Sequence, residues 1–283
     1  MSRMNAEGRP TNKRSSFPWY AAAAWERIPH LIHGFSGRLS DQAAALSVLS
    51  ATELPLHTLT QVHGNALRVV GPDTSVEERP QADGMLSAAA GRLLGIVTAD
   101  CVPVLMVAPR QRIVAALHAG WRGTAKDICG RAIQALKTDW GVSPADLLIA
   151  LGPSIGGCCY EVGRDIGENL SRQVGTRGRL AWRQEGNVST SQHVSDDTFP
   201  PSTGKGNRNT KSAHKETTIA CGDTGFLDLR LVNRLRCEQL GVLPQHIQHV
   251  GPCTFCSGAA LSSYRRDGSR AGRQLSVIGW DRE

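Results

Sequence analysis

The chain has 283 residues, of which 40% are hydrophobic and 20% charged, with a formal net charge of +7. This composition is ordinary for a globular protein, and the chain is long enough to bury a sizeable core. No apolar run approaches the roughly 18 residues of a membrane helix, and the first residues lack the apolar segment of a secretory signal. We therefore expect a cytoplasmic protein without membrane contact, whose eight cysteines are reduced or metal-bound.

The apolar pattern predicts a disordered tail over residues 1–27, followed by one catalytic domain over 28–283. Short apolar runs rich in β-branched residues predict strands, and longer periodic runs predict helices. The predicted strands cover 67–70, 93–98, 102–108, 112–118, 147–151, 246–250 and 274–280, and the helices cover 124–140, 164–174 and 229–240. Strands alternate with helices, so the fold class is α/β or α+β.

Residues 177–215 differ in composition from the rest of the chain. They are rich in Ser, Thr, Asn, Gly and Lys, and cannot bury enough apolar surface to offset the conformational entropy lost on folding. This predicts a flexible surface insertion within the domain. Much of the positive charge lies there, at Lys205, Arg208, Lys211 and Lys215. Aromatic residues are only 5% of the chain and do not interleave with this basic segment, so no specific nucleic-acid partner is expected.

Three metal-capable side chains stand beside small or turn-forming residues. They are His63 in Gln-Val-His-Gly, Cys101 after Ala-Asp, and His118 before Ala-Gly-Trp-Arg-Gly. Two imidazoles and one thiolate are good zinc ligands, and a site with three protein ligands leaves a position for water or substrate. Their spacing is long and irregular, unlike a zinc ribbon. We therefore predict an open, catalytic type of metal site that folding assembles.

An anion site is predicted next to His118. A strand ends there, and a glycine-rich turn opens a helix whose N-terminal N–H groups suit an anion. Arg122 adds a planar guanidinium that can hold phosphate or carboxylate through two hydrogen bonds. The alternative is that Arg122 pairs with a surface carboxylate and His118 only ends a strand.

Several motifs together resemble a known family. They are, in order, His33-Gly34-Phe35-Ser36, Gln61-Val62-His63-Gly64, Ala82-Asp83-Gly84-Met85, Thr98-Ala99-Asp100-Cys101-Val102-Pro103-Val104, His118-Ala119-Gly120-Trp121-Arg122-Gly123, Gly152-Pro153-Ser154-Ile155-Gly156, Tyr160-Glu161-Val162, Leu227-Asp228-Leu229, Cys253-Thr254 and Ser263-Tyr264-Arg265-Arg266-Asp267-Gly268. The chain resembles the bacterial multifunctional purine nucleoside phosphorylases, also described as laccase-like multicopper polyphenol oxidoreductases or peptidoglycan-editing factors. The resemblance covers about residues 28–280 without the insertion.

The resemblance implies a layered α/β/β/α arrangement of mixed β-sheets and zinc ligation by His63, Cys101 and His118. It also implies phosphorolysis of adenosine, inosine and methylthioadenosine, with some adenosine deamination. The chain departs from the family pattern after Phe35, where a shorter segment replaces an arginine- and glycine-containing loop. Arg38 stands in for the substrate-binding arginine of that loop.

Charged residues within these motifs predict how phosphate is bound and how protons are moved. Arg122 is predicted to bind phosphate, and a carboxylate must move protons, for which Asp83 and Asp100 are the candidates. Asp83 could instead form an Asp-Gly turn, and Asp100 could instead orient His118. Arg265-Arg266 could bind phosphate or face solvent in a turn. Partners are then purine nucleosides and phosphate, for a monomer or small homo-oligomer.

Other functions remain open at this stage. A copper-dependent phenol oxidase needs about ten His ligands, and the chain has nine histidines, although copper could occupy the same three-ligand site. A cysteine hydrolase could use Cys101 with His118, and a role in editing peptidoglycan precursors is a further option. Cys253-Thr-Phe-Cys256 has the spacing of a redox or zinc pair. With no second pair at zinc-ribbon spacing, Cys158, Cys159, Cys253 and Cys256 are predicted to be ordinary reduced thiols.

Overall fold

The computed structural model of the protein describes residues 19–39, 54–184 and 223–282. Fourteen strands and five α-helices are assigned within these ranges. The strands are β1 (Trp19–Tyr20), β2 (Leu31–Ser36), β3 (Leu56–His57), β4 (Leu67–Val69), β5 (Gly84–Ser87), β6 (Arg92–Thr98), β7 (Val102–Ala108), β8 (Ile113–Ala119), β9 (Leu148–Leu151), β10 (Glu161–Gly163), β11 (Trp182–Gln184), β12 (Thr224–Leu227), β13 (Ile247–His249) and β14 (Gln274–Trp280). The helices are α1 (Trp121–Ala125), α2 (Ile128–Trp140), α3 (Arg164–Gln173), α4 (Leu229–Gln239) and α5 (Tyr264–Asp267). None of these helices combines the length and apolar content that a bilayer span requires.

The strands form three sheets with mixed strand directions. A six-stranded sheet has the order β13-β9-β7-β8-β5-β4, a five-stranded sheet has the order β1-β2-β14-β6-β3, and a small sheet has the order β10-β12-β11. The pairs β13/β9, β4/β5 and β3/β6 are parallel, whereas the long central pairs β7/β8 and β14/β6 are antiparallel. This confirms the predicted mixed α/β fold.

The two large sheets enclose one apolar core, and helices enclose another. Leu105, Leu94 and Ile278 belong to a cluster shared by the six- and five-stranded sheets, while Val104 and Leu117 point the other way and pack with residues of α2 and α4. Both faces of β7 and β8 are therefore buried, which explains their continuous apolar sequence. A third cluster lies on the outer face of the five-stranded sheet and consists of Leu39, Leu93, Leu275 and Val277.

The structure corrects two predicted boundaries. Regular structure begins before residue 28, because β1 pairs with β2 and a 3₁₀ helix follows at Ala23–Arg27 with Trp25 fully buried. The insertion was also predicted from residue 177, but Gly175–Leu180 is a 3₁₀ helix and Trp182–Gln184 pairs with β12, so residues 177–184 are part of the regular structure. Residues 1–18 and 185–215, where the tail and the rest of the insertion were predicted, lie outside the described residues.

The helix predicted over 124–140 is divided into α1 and α2. Asp127 separates the two helices in a left-handed conformation, with φ of 61°. Its carboxylate accepts a hydrogen bond from the Gly130 N–H (3.1 Å) and so caps the start of α2. At the other end, Gly141 has φ of 65° and closes α2 at the predicted end, residue 140.

Candidate metal centre and its cavity

His63, Cys101 and His118 come from three separate segments of the chain and meet at one edge of the sheets. His63 lies in the turn before β4, Cys101 lies between β6 and β7, and His118 is near the end of β8. Their ligand atoms all lie within 4.8 Å of one another, and the two imidazole rings meet edge to face with centroids 4.7 Å apart. The three side chains therefore form a group that can bind a metal ion.

Asp83 holds both histidines of this group. Its Oδ1 accepts hydrogen bonds from His118 Nδ1 (2.8 Å) and the His63 N–H (2.9 Å), and its Oδ2 accepts from the N–H groups of Gly64 (2.6 Å) and Val62 (3.2 Å). The carboxylate is fully buried. Because a carboxylate only accepts, Nδ1 of His118 carries the proton and Nε2 is left to bind a metal. The same carboxylate supports the turn that keeps His63 at φ of 57°.

The pKa values of the group follow from these contacts. Burial favours the neutral acid of Asp83, but the hydrogen bonds from His118 and from Gly64 outweigh it and lower the Asp83 pKa. Burial also favours the neutral thiol of Cys101, yet His118 and His63 lower its pKa to about 7. Burial favours neutral His118, whereas Asp83 and Cys101 raise its pKa to about 9. Without a metal, the group thus favours a Cys101 thiolate beside a protonated His118 imidazolium. A metal cation can take the place of the imidazolium proton beside the thiolate.

The immediate surroundings also fit a metal ion. Gly120 faces the group, and a Cβ at that position would lie 2.9 Å from Cys101 Sγ and 3.2 Å from His63 Cδ2. Only glycine therefore leaves the thiolate and the imidazole room to approach each other at this point. Two imidazoles and one thiolate, with one nitrogen already fixed by a carboxylate, are a donor set typical of zinc and also accessible to copper.

A cavity of about 650 Å³ opens beside the three ligands. Its lining includes three aromatic side chains, Trp121, Tyr160 and Tyr264, and three arginines, Arg122, Arg265 and Arg273. The guanidinium of Arg122 lies 4.3 Å from the centre of the Trp121 ring, and that of Arg265 lies 5.4 Å from the centre of Tyr160. The cavity therefore presents flat aromatic surfaces and positive charge next to the metal-capable group.

Arg122 and Arg38 are placed differently. Arg122 lines the cavity as its predicted role requires, whereas Arg38 is not among the lining residues and its main-chain N–H donates to Ala260 O (2.9 Å). The helix that follows His118 begins at Trp121, directly after Gly120, and has only five residues, Trp121–Ala125, so the charge at its N-terminus is small.

Asp100 lines the cavity but does not contact His118. Its Oδ1 accepts from Thr254 Oγ1 (2.6 Å) and its Oδ2 accepts from the Arg265 N–H (2.6 Å). The alternative in which Asp100 orients His118 is corrected, because Asp83 makes that contact.

Arg265 and Arg266 have different positions. Arg265 lines the cavity, whereas the Arg266 guanidinium donates to the carbonyls of Thr254, Phe255 and Leu261.

Sequence reasoning did not assign a role to several cavity residues. Gln61 lines the cavity and forms two hydrogen bonds with the main chain of Val97. Gln61 Nε2 donates to Val97 O (2.8 Å), and the Val97 N–H donates to Gln61 Oε1 (2.9 Å). These bonds fix the His63 turn against the end of β6. Tyr160, Tyr264 and Arg273 also line it. Tyr160 and Tyr264 lie in motifs that the resemblance had identified, whereas Arg273 had no local signal.

The fold and the three-ligand site define a mixed α/β protein with a candidate catalytic metal centre. A family model described as multi-copper polyphenol oxidoreductase laccase matches residues 40–195 and 193–281, and the chain belongs to this family. A curated relative, purine nucleoside phosphorylase YlmD of Geobacillus stearothermophilus, is 32% identical over 77% of this chain and 70% of its own length. The human purine nucleoside phosphorylase LACC1 is 24% identical over 93% of this chain and 51% of its own length.

Solved structures show the same fold. The crystal structure of YlmD from Geobacillus stearothermophilus has a TM-score of 0.72 and 25% identity, with coverage of 95% of this chain and 98% of that one. A Bacillus licheniformis protein, the hypothetical protein YfiH, has a TM-score of 0.72 at 20% identity, with coverage of 90% and 95%. The second likeness supports the fold alone.

Proposed function

We propose that the protein is a metal-dependent purine nucleoside phosphorylase that acts on adenosine, inosine and methylthioadenosine, with adenosine deamination as a side activity. The observation that carries the proposal is one cavity in which a three-ligand group, three arginines and three aromatic rings adjoin. A phosphorylase must hold an anion and a flat base together. The relatives named purine nucleoside phosphorylase agree with this function.

Phosphate binding is assigned to the arginines of the cavity. Arg122 is exposed at its mouth, and Arg265 and Arg273 line the same space. Guanidinium groups donate paired hydrogen bonds to phosphate oxygens and keep their charge at every working pH. The Arg265 guanidinium is held by Glu161 O (2.8 Å), so part of its orientation exists before phosphate arrives. Substrate binding by Arg38 stays a prediction from the resemblance.

The purine is assigned to the aromatic surfaces. Stacking on an aromatic ring contributes about 1–3 kcal/mol per base, and Trp121, Tyr160 and Tyr264 offer such rings. Burial raises the Tyr160 pKa to about 12, so its hydroxyl stays protonated and can donate a hydrogen bond. Thr98 lines the cavity with a buried hydroxyl that has no partner within the described residues. That hydroxyl is available to a polar atom of the nucleoside.

His63, Cys101 and His118 would hold the metal, for which we propose zinc, with copper as the alternative. A bound divalent ion supplies a Lewis acid that polarises an oxygen or nitrogen of the substrate. Asp83 is a positioning residue: it fixes the His118 ring and the His63 turn and, being fully buried, does not reach the cavity. Cytoplasmic location is part of the proposal, because a reducing compartment keeps Cys101 as a thiol or thiolate.

The reaction requires balanced bond changes at the ribose. The C1′–N9 bond of the nucleoside breaks, a phosphate oxygen bonds to C1′, and N9 of the purine takes up a proton, which gives free base and ribose 1-phosphate. Asp100 is the carboxylate that lines the cavity, and we propose it for proton transfer. Its two oxygens already accept from Thr254 and the Arg265 N–H, so its position relative to Arg265 is fixed.

The description of the family also raises phenol oxidation by several coppers. Two metal-capable groups are found in residues 19–39, 54–184 and 223–282. One is the group of His63, Cys101 and His118, with two histidines, and the other consists of four cysteines. Neither resembles the histidine-rich set that a cluster of coppers needs. Phenol oxidation is therefore the alternative outcome of the test below.

The test is turnover of adenosine with and without inorganic phosphate, followed by chromatography and metal analysis. We expect adenine and ribose 1-phosphate only when phosphate is present, and a smaller amount of inosine without phosphate. Replacing Arg122 by Ala should lower kcat/KM for phosphate about 10- to 100-fold, since a charged hydrogen bond contributes about 1.5–3 kcal/mol. The exposed Arg131 on α2 offers a matched control, and Arg131→Ala should leave turnover unchanged.

Cys101→Ala should remove metal from this site together with phosphorolysis. Phosphorolysis that persists in Cys101→Ala and in metal-free protein would contradict metal dependence. Oxidation of phenols with bound copper, without adenine release, would replace the proposal by the oxidase. Hydrolysis that needs Cys101 but is inhibited by zinc would replace it by a cysteine hydrolase.

A further inference from the structure

Four cysteines outside the cavity come together in space. Cys158 and Cys159 lie in the connection from β9 to β10, and Cys253 and Cys256 follow β13. The four sulfur atoms all lie within 4.8 Å of one another. Cys256 Sγ is 3.3 Å from Cys159 Sγ and 3.7 Å from Cys158 Sγ. Two pairs that are far apart in the chain therefore form one compact cluster of thiols.

From this geometry we propose that Cys158, Cys159, Cys253 and Cys256 bind a structural zinc ion as four thiolates. With Zn–S bonds of about 2.3 Å, the sulfur atoms of a regular tetrahedron are about 3.8 Å apart. The observed separations of 3.3 and 3.7 Å need only small movements to reach that value. Four thiolates complete the coordination shell, as structural zinc sites require, whereas the His63 group has an open position.

The cluster is built differently from a disulfide. Cys256 Sγ approaches the sulfurs of two partners, and an S–S bond is only about 2.05 Å long and joins one pair. The surrounding backbone also favours a thiolate cluster. The Gly156 N–H donates to Cys253 Sγ (3.2 Å), and N–H donors to a ligating sulfur are the outer contacts that metal sites use. A Cβ on Gly156 would lie 3.3 Å from Cys158 Sγ, so glycine lets the loops close on the cluster.

The charge near the cluster also suits four thiolates on a divalent ion, whose combined charge is negative. Arg230 donates to Gly251 O (3.1 Å), Arg183 donates to Gly157 O (3.0 Å), and Arg266 donates to Thr254 O and Phe255 O (2.9 and 3.1 Å). Each of these acceptors lies within two residues of a cluster cysteine. The guanidinium groups of Arg183 and Arg230 thus lie beside the loops that carry the sulfurs and offset the negative charge, whereas the charge of Arg266 is paired with Asp267.

The position of the site indicates what the zinc does. Cys159 directly precedes Tyr160, which lines the cavity, and Cys253 directly precedes Thr254, whose hydroxyl binds Asp100. Ser154 and Cys253 also form a β-bridge between the two loops. A zinc ion at the cluster would join these loops and so keep Tyr160 and Asp100 in fixed relative positions. It would have no part in the chemistry of the substrate.

The test is zinc content per chain, measured on protein purified with reductant and zinc and then desalted. Cys101→Ala should keep one zinc ion, held by the four cysteines. Cys256→Ser should lose that ion while keeping the one at His63, Cys101 and His118. The control is Cys237→Ala, since Cys237 is a free buried cysteine outside the cluster, and its zinc content should equal that of the wild type.

A spectroscopic measurement does not depend on the folding of the Cys256 variant. Zinc X-ray absorption of Cys101→Ala should show sulfur neighbours only, at about 2.3 Å. Zinc-free Cys101→Ala whose four cluster thiols all react freely with an alkylating reagent would overturn the proposal. Disulfide-linked peptides of these cysteines in freshly trapped protein would overturn it equally. Loss of nucleoside turnover in Cys101→Ala with retained zinc would leave this site supported, so the two proposals fail separately.

Discussion

Replacing Asp83 by Asn tests whether one buried carboxylate organises the candidate metal centre. The substitution keeps the shape of the side chain but leaves one accepting oxygen. In the wild type, Oδ1 accepts from His118 and His63, and Oδ2 accepts from Gly64 and Val62. Whichever way the amide turns, two donors lose their acceptor and face an NH₂ group.

The size of the effect follows from those contacts. A hydrogen bond to a charged group contributes about 1.5–3 kcal/mol to stability, so two lost bonds predict a destabilisation of about 3–6 kcal/mol. A carboxylate that orients a ligating histidine also raises metal affinity about 10- to 100-fold. We therefore expect Asp83→Asn to unfold at a lower urea concentration in the presence of chelator, and to bind zinc about 10- to 100-fold more weakly.

The assay is urea unfolding followed by fluorescence, together with zinc competition against a chromophoric chelator. Asp73→Asn is the matched control, because Asp73 is exposed, and it should change stability by less than about 0.5 kcal/mol. If Asp83→Asn unfolds within about 1 kcal/mol of the wild type and binds zinc equally well, Asp83 does not organise the centre.

Three further predictions concern single contacts. Gly120→Ala should weaken zinc binding, because the new Cβ would lie 2.9 Å from Cys101 Sγ. It should cost little folding stability, because Gly120 has an ordinary backbone conformation (φ −72°). Zinc competition measures the affinity, and an unchanged affinity would contradict this crowding of Cys101. Asn233→Ala should cost about 2–4 kcal/mol in urea unfolding, because this buried amide donates to Thr124 Oγ1 and Leu229 O; a cost below about 1 kcal/mol would speak against that role. Asp267→Asn should reduce the acid sensitivity of stability, because the Arg266 hydrogen bond lowers the Asp267 pKa. Because the Asp267 pKa is lower in the folded state, its ionised form stabilises the fold at pH values above the unfolded pKa, near 3.8. This stabilisation is lost as the pH falls through the folded pKa. Unfolding curves from pH 6 to pH 3 check this, and equal slopes for both proteins would contradict it.

The sequence predicted best those elements whose surroundings are uniform. Residues 102–108 and 274–280 were predicted as strands with the observed ends. Residues 102–108 are buried on both faces and therefore appear as a continuous apolar stretch. The break between α1 and α2 was missed, because the apolar period continues through Asp127. Its left-handed backbone and its bond to Gly130 appear only in three dimensions. Likewise, the early strand at Trp19–Tyr20 depends on its partner Phe35–Ser36, not on local pattern.

For the site, the sequence by itself determined which functional groups are present: two imidazoles, a thiolate, an arginine next to them, and two acidic side chains, one in an Asp-Gly turn and one directly before Cys101. Only the tertiary structure decided which of these meet. It assigned Asp83 to His118 and Asp100 to Thr254, brought Arg265 and Arg273 to the cavity, and joined Cys158-Cys159 to Cys253 and Cys256. The physical reason is that ligand type is a property of each residue, whereas a shared ion or hydrogen bond requires atoms within a few ångströms. Sheet pairing between distant strands sets those distances.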